Sequence, residues 1–573
     1  MLSNSVFAGL LAAAYVALLL LLLNPEVPLD AAGAVLSVAI LSYGAHVAVV
    51  SYALYALRQI VIFEPSAPGW VSLRLLTWSA AVLSAFAAVV TWLHASGLRT
   101  TLDPRGVPAL AQSAVALAAA ALAFLVLAFA QTAAQQWRRT MVAILFTLAT
   151  IVSIAVPAIL RGRGVSRLVP VQAALPVGAL ADESSRVILL CLDGASLDVI
   201  SPAVAAGRLP NFSRMLDRGA MMYLATTRPT QPEPVWASVV TGMWPSHHGV
   251  RGASRYRPVV GDVAFDVLPD YLFSQALIRF GLLNEEPYPS ASLLAQPIWR
   301  VAGRYGIRTG VIGMPLTHPA EAAEGFIVSD RFHRRADRLV TLDQEPAVSP
   351  ARVDEVARRV LVDRTTRGVL AGLAGLIQEG EGSSTVEADA LHHQLARQLG
   401  AAENVRLLAV RYPGLDQVGH YSMRYTRPEA FGDVSEDERR RFGRVLDDYY
   451  GYIDSLVGDG LASLREGDVL LVVSGFGMEP LTVGKRVLER LIGNPRFSGT
   501  HERGPDGFLL AYGTPVAAAR QPRGAVVDVA PTLLYFLGLP VARDMDGFAR
   551  TDLFSQAFNA QRTITFIPTY GML

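Results

Sequence analysis

Two patterns in this chain predict a two-part fold, an all-α membrane region followed by an α/β domain on a doubly wound sheet. The first pattern is a succession of long apolar runs, all within the first ~160 residues. The second begins at Arg186, where short β-branched or leucine-rich runs alternate with helical stretches. Runs apolar on every position suit strands buried on both faces, the condition of a mainly parallel sheet covered by helices.

The apolar runs near Val6–Leu23, Ala32–Leu57, Val71–Leu93, Val107–Ala130 and Met141–Leu160 are each long enough to cross a bilayer as a helix. The first lacks the basic start and small-residue end of a cleaved leader, and four more follow it, so it reads as a retained span. Arg58, Arg138 and Arg139 fall on one side of the membrane, and Arg99, Arg105, Arg161, Arg163 and Arg167 on the other. The two sides nearly balance, with a slight lean toward a cytoplasmic C-terminal domain. His46 and His94 stand in or beside spans and are expected as interfacial or helix-packing groups rather than functional ones.

Composition narrows the function classes. A formal net charge of +1 argues against nucleic-acid binding through a strongly basic face. The single cysteine, Cys191, excludes an intramolecular disulfide and a Cys-rich zinc site. It lies within Val187–Leu192 and is expected as a buried core thiol.

The expected organisation is a transmembrane domain over 1–161, a linker rich in small residues and proline over 162–185, an α/β domain over 186–556 and a tail over 557–573. Within the α/β domain, Val187–Leu192, Arg308–Met314, Val405–Val410, Val469–Val473 and Gly507–Tyr512 read as buried strands. Leu293–Tyr305, Val353–Gly372 and Glu438–Val457 read as helices between some of them. Ligands of such sheets bind beyond the carboxyl ends of the strands. An aromatic-rich region near 252–298 breaks the rhythm. It reads either as a lid over the site or as an insertion packed on its own small core.

The chemistry-bearing residues follow these strands. Asp193 comes directly after the first strand and before a glycine, a good place for a hard metal ligand, although strand-Asp-Gly also makes ordinary turns. Arg228-Pro229-Thr230-Gln231-Pro232 leads into Trp236, Thr241-Gly242 and Pro245-Ser246-His247-His248-Gly249. Asp416 and His420 are four apart and can share one ion from one face of a helical turn. His501 follows later, in Thr500-His501-Glu502-Arg503-Gly504-Pro505-Asp506-Gly507.

These segments resemble the type I phosphodiesterase/nucleotide pyrophosphatase branch of the alkaline phosphatase superfamily, from about Arg186 to Phe554. Asp528–Pro540 and Asp544–Gly547 resemble its closing helix and last turn. The resemblance implies an alkaline-phosphatase-like sheet and a metal, usually zinc, on Asp416, His420 and His501. Thr230 is the best candidate for the hydroxyl nucleophile, although strict alignment on Trp236 or Thr241 moves that slot to Pro232. Asp193 would be a ligand of a second ion. The family completes that second site with Ser-Asp-His-Gly, where this chain reads Ser474-Gly475-Phe476-Gly477, so one ion is expected rather than two. Glu233, His247, His248 and Glu479 are possible substitutes. Implied partners are membrane lipid and a phosphorylated small-molecule or lipid substrate. Membrane-bound relatives usually work outside the cytoplasm, which opposes the slight lean of the arginine count. The expected function is a membrane-anchored, metal-dependent phosphoric ester hydrolase or phosphotransferase. The alternative is a catalytically inactive descendant that binds a phosphorylated ligand or scaffolds a membrane partner.

Overall fold

Among the described residues of the computed structural model, five helices are long and apolar enough to cross a membrane: Leu2–Leu23, Leu29–Val61, Leu73–Gly97, Gly106–Gln131 and Thr140–Arg161. Each covers one of the predicted runs. The described residues are 1–62, 72–133, 139–162, 185–259, 263–269, 274–333, 345–362 and 381–571. They fall into two units, Met1–Leu168 with Ser254–Pro287, and Val169–Ala253 with Tyr288–Leu573. The predicted linker lies almost wholly outside the described residues.

In the first unit, 78 % of the most apolar stretch of Leu2–Leu23 is buried, against 22–33 % for the other four spans. The first helix is therefore the centre of the bundle, and the others keep apolar faces outward, as lipid requires. The second span passes through a π-helical turn at Ile40–Gly44. A Cβ on Gly9 would fall 2.3 Å from the Gly44 carbonyl oxygen, so this crossing depends on two glycines. His94 Nδ1 donates to the Val90 carbonyl and His46 Nδ1 to the Ser42 carbonyl, local bonds that suit packing roles.

The region expected as an insertion belongs largely to this unit. Arg255–Pro258 and Leu283–Glu286 form an antiparallel pair. Tyr256, Phe265, Leu277 and Leu283 share one core with Ala13, Val16, Leu20, Val35 and Ala39 of the first two spans. Tyr256 and Phe265 thus pack on the first two spans rather than on a self-contained small core, while Phe280 is exposed and Tyr288 joins Ala237, Val250, Leu293 and Leu316. Tyr271 and Phe273 lie outside the described residues. Asn24, fully buried after the first helix, fixes the contact. Its Nδ2 donates to the carbonyls of Leu20 (2.8 Å) and Val267 (2.9 Å). Its Oδ1 accepts the N–H groups of Asp266 and Val267, both at 2.9 Å.

The second unit is built on ten strands: β1 Val187–Leu192, β2 Ala220–Ala225, β3 Thr309–Ile312, β4 Gly325–Val328, β5 Val348–Ser349, β6 Leu407–Tyr412, β7 Val469–Phe476, β8 Asp506–Tyr512, β9 Ala519–Arg520 and β10 Gly524–Ala525. Their order is β9-β2-β8-β7-β1-β6-β3-β4-β5, with β10 also paired to β2. The central strands β7, β1, β6, β3 and β4 run parallel, while β8 is antiparallel to both β7 and β2. All five predicted strands belong to this sheet. Alternate side chains of β1 divide between two cores, Ile188, Leu190 and Leu192 on one face and Val187, Leu189 and Cys191 on the other. That division is why the strand reads as continuously apolar. Cys191 is buried, as expected.

The predicted helices are shorter or broken in the structure. Leu293–Tyr305 contains the helix Ile298–Arg304, and Glu438–Val457 splits into Glu436–Phe442 and Val445–Ala462. Ala351–Val362 covers the start of the third, and residues 363–372 lie outside the described residues. The C-terminal segment is more ordered than a tail, since Phe566–Ile567 pairs in parallel with Val541–Ala542.

Candidate metal centre

The site begins where β1 and β6 end. Gly194 adopts φ +72°, and a Cβ there would lie 2.9 Å from the Asp416 Cα, so only glycine lets the β1 turn approach the β6 turn this closely. After β6, Pro413 opens the helix Gly414–Thr426, which carries Asp416 and His420 one turn apart on one face. Buried Asp389 holds the start of this helix, accepting the Gly414 N–H at 3.0 and 3.2 Å and the Tyr449 hydroxyl at 2.9 Å. Gly499–Thr500, paired with Glu479–Pro480, delivers His501 from the other side.

Asp416, His420 and His501 converge, with one candidate ligand atom from each within 4.8 Å of the others. His420 Nε2 is 3.4 Å from Asp416 Oδ2, and His501 Nε2 is 3.9 Å from Asp416 Oδ1. Burial pushes the Asp416 carboxyl up, but His420 and His501 outweigh it and hold the group below the usual carboxylate range. Burial pulls His420 down, yet Asp416 prevails and its pKa is raised.

These residues fit a metal ion. A carbonyl only accepts, so His420 Nδ1–H donates to the Gly499 carbonyl (2.8 Å) and His501 Nδ1–H to the Thr230 carbonyl (2.9 Å). Each bond fixes the tautomer that leaves an Nε2 lone pair facing Asp416, the usual outer-shell arrangement of a metal-binding histidine. Asp416 Oδ1 is buried with no hydrogen-bond partner, a costly state that an ion relieves. His420 stacks on Phe497 with ring centroids 5.0 Å apart.

Asp193 is not part of this group. Its Oδ1 accepts from Arg411 Nε (3.0 Å) and from Trp236 Nε1 (2.8 Å). Its Oδ2 accepts from Arg411 Nε (3.0 Å) and Nη2 (2.5 Å). A guanidinium thus stands against the carboxylate expected to hold a second ion. Burial pulls Arg411 down, but Asp193 outweighs it and raises the pKa, so the charge is permanent.

The rest of the second site is filled by hydrocarbon. A Cβ on Gly475 would lie 2.2 Å from Val235 Cγ1. Phe476 is fully buried, with its ring 5.1 Å from that of His501. Two of the possible substitutes, His248 and His247, are engaged elsewhere. His248, buried between Ser238 and the Val250 N–H, is driven by burial to a pKa of about 3. His247 pairs with Asp546 at 2.8 Å. Glu479 belongs to the short strand pair beside Thr500. Glu233 has a buried, unpartnered Oε2, and burial lifts its pKa to about 7, with Arg411 opposing.

Thr230 lies beside the ligand group but is fully buried. Its Oγ1 donates to the Thr227 carbonyl (2.9 Å) and accepts from Arg228 Nη1 (3.3 Å). Its carbonyl orients His501, a role the sequence reading did not contain. The helix Pro232–Thr241 begins at Pro232, the alternative nucleophile slot, which has no hydroxyl. Arg411 and Asp389 were also missed. The available signal for Arg411 was a charge inside an otherwise buried strand, which demands a buried partner.

The sequence profile described as Type I phosphodiesterase / nucleotide pyrophosphatase matches residues 187–531, more than half of the chain. The chain belongs to this family, within the alkaline phosphatase superfamily. No curated protein matches it. Among solved structures, the phosphodiesterase domain is similar to murine ectonucleotide pyrophosphatase/phosphodiesterase 5, seen in an inactive form in complex with AMP and in a second structure. Each shares 14 % identity, covers 65 % of this chain and all of the murine chain, and gives a TM-score of 0.36.

Proposed function

We propose that this phosphodiesterase-family domain is a one-ion phosphoric ester hydrolase, anchored by a multi-pass membrane region. Zinc would be held by Asp416, His420 and His501. The observation that carries this reading is the orphaned Asp416 Oδ1 between two histidines whose Nδ1 atoms are tied to backbone carbonyls. Such an ion polarises a phosphoryl oxygen and lowers the pKa of bound water. The protein orients the ligands, and the Thr230 carbonyl keeps the His501 ring in place. With the Thr230 hydroxyl buried and donating to Thr227, no covalent phospho-enzyme is formed. Water attacks phosphorus directly, the P–O bond to the leaving group breaks, and the proton that the water gives up ends on the departing oxygen. The substrate is a phosphorylated small molecule or a lipid-linked phosphate ester, met at the membrane on its extracytoplasmic side.

A second reading, a non-catalytic domain that binds a phosphorylated ligand, is favoured by the same buried Thr230 and by the filled Gly475–Phe476 position. Elemental analysis of the purified full chain, beside assays with an aryl phosphodiester and an aryl phosphomonoester, decides between them. About one zinc per chain with turnover supports the hydrolase, and one zinc without turnover supports the binding domain. Absence of metal overturns both as metal-centred readings.

A further inference from the structure

The second ion does not fit this chain, and what replaces it is itself a cation. We propose that the Arg411 guanidinium is the second anchor for the phosphoryl group, a fixed charge in place of a second metal. This deepens the one-ion reading above and rests on it.

Three observations carry the assignment. Arg411 comes from the carboxyl end of β6, three residues before the first residue of the helix that presents Asp416 and His420, so it lies at the same end of the sheet as the candidate ligands. Asp193 takes Nε and Nη2 and locks the plane of the group, while Nη1 has no protein hydrogen bond and is not buried. The side chain is 13 % exposed, and Nη1 is its one nitrogen without a protein hydrogen bond. A guanidinium fixed by a carboxylate on one side offers N–H donors to an anionic oxygen on the other, and pre-organisation reduces the entropy lost on binding.

Nearby chemistry agrees. The positions of the missing ligands are closed by Val235 packed against Gly475 and by Phe476 against His501, so no ion competes for this place. Asp193 pairs with Arg411, Glu233 and Asp330 also act on its charge, and an incoming phosphate ester would meet this guanidinium beside the ion. The ligand class is therefore a phosphate ester, or free phosphate, with one oxygen on the ion and another on Nη1.

The test uses the zinc-loaded full chain in detergent, titrated calorimetrically with inorganic phosphate, with zinc counted in every sample. The Asp193→Asn/Arg411→Gln variant removes both charges of the buried pair together, and Arg411→Lys keeps a charge on Asp193 without the forked donor. The double variant should retain one zinc and weaken phosphate about 10- to 100-fold, the loss of one charge-assisted hydrogen bond. Arg411→Lys should retain zinc and weaken phosphate in the same direction. Unchanged phosphate affinity in either folded variant overturns the assignment, as does a second zinc in the wild-type protein. A wild-type protein with one zinc that binds no phosphate overturns the underlying reading as well, and is distinguished by failing before any variant is compared.

Discussion

Restoring the missing motif should not restore the second ion. The perturbation is Gly475→Asp with Phe476→His, which rewrites Ser474–Gly477 to the family's Ser-Asp-His-Gly. At Gly475 the new Cβ would lie 2.2 Å from Val235 Cγ1, closer than any real contact, so Val235 or the strand must move. Overpacking of this kind costs about 1–3 kcal/mol. The new carboxylate also enters a region where Val235 and Phe476 are fully buried, and an unpaired buried charge adds a penalty of several kcal/mol unless it is neutralised. Asp193, the ligand the restored pair would join, already gives both oxygens to Arg411. The double variant should therefore hold one zinc per chain by elemental analysis and melt several degrees lower than wild type. Two zinc ions at undiminished stability would refute the argument that the site is filled rather than merely short of ligands. Adding Val235→Ala and Arg411→Ala to the same variant should then permit a second ion, because both obstructions are gone.

Other consequences are directly measurable. His501→Ala and Asp416→Ala should each lose zinc together with any hydrolysis, since two remaining donors do not make a stable site. Thr230→Ala should leave zinc content and turnover within a few-fold of wild type, and trapping a phosphorylated Thr230 during turnover would contradict the direct-attack route. Burial lowers His248 to about 3 and His392 to about 4, so both are neutral in the fold and bind protons on unfolding. Their contribution is intact above about pH 6.5 and is lost as pH falls toward 4, by about 1.4 kcal/mol per pH unit for each group. Denaturant titrations from pH 7 to pH 4 should show that slope, and His248→Gln should reduce it. Asn24→Ala leaves the Asp266 and Val267 amides and the Val267 carbonyl without their partner, at about 1–3 kcal/mol for each buried group. It should raise hydrogen exchange across 254–269, and unchanged protection there would count against Asn24 as the fastener.

The legible parts of this fold were those where one residue type has one physical use. Continuous apolar runs such as Val187–Leu192 and Val469–Val473 had to be doubly buried strands, and each became a central strand of the sheet. Ala220–Ala225 escaped because its burial alternates along the strand, and its mixed run Ala220-Met221-Met222-Tyr223 carries little β-branching. Glu438–Val457 looked like one helix because charge and apolar residues keep a helical period through Gly443, where the chain ends one helix before starting another. Of the aromatics near 252–298, Tyr256 and Phe265 are buried against the first two spans, a partner that aromatic content alone does not name, while Phe280 is exposed. At the candidate metal centre, the family resemblance named Asp416, His420 and His501, and the fold gathers one candidate ligand atom from each within 4.8 Å of the others.

Arg411 shows where such reading stops. Its neighbours in β6 are buried, and a lone arginine in that setting signals a buried counter-charge without saying which one. Asp193, more than two hundred positions earlier, reads from sequence as a free metal ligand because the family uses that position so. The two assignments exclude each other only once the strands are paired, with Cys191 opposite Arg411 in the β1–β6 register. The lack of ligating side chains at Gly475 and Phe476 and the arginine beside Asp193 are then two sides of one arrangement. Without a second ion, a buried Asp193 carboxylate needs a compensating cation, and a guanidinium already at the sheet's carboxyl end supplies it. On this account Arg411→Met alone should destabilise the protein more than the neutralised Asp193→Asn/Arg411→Gln pair, because it strands a buried negative charge. Equal thermal stability of the two variants would mean that the pair is incidental to the loss of the second metal.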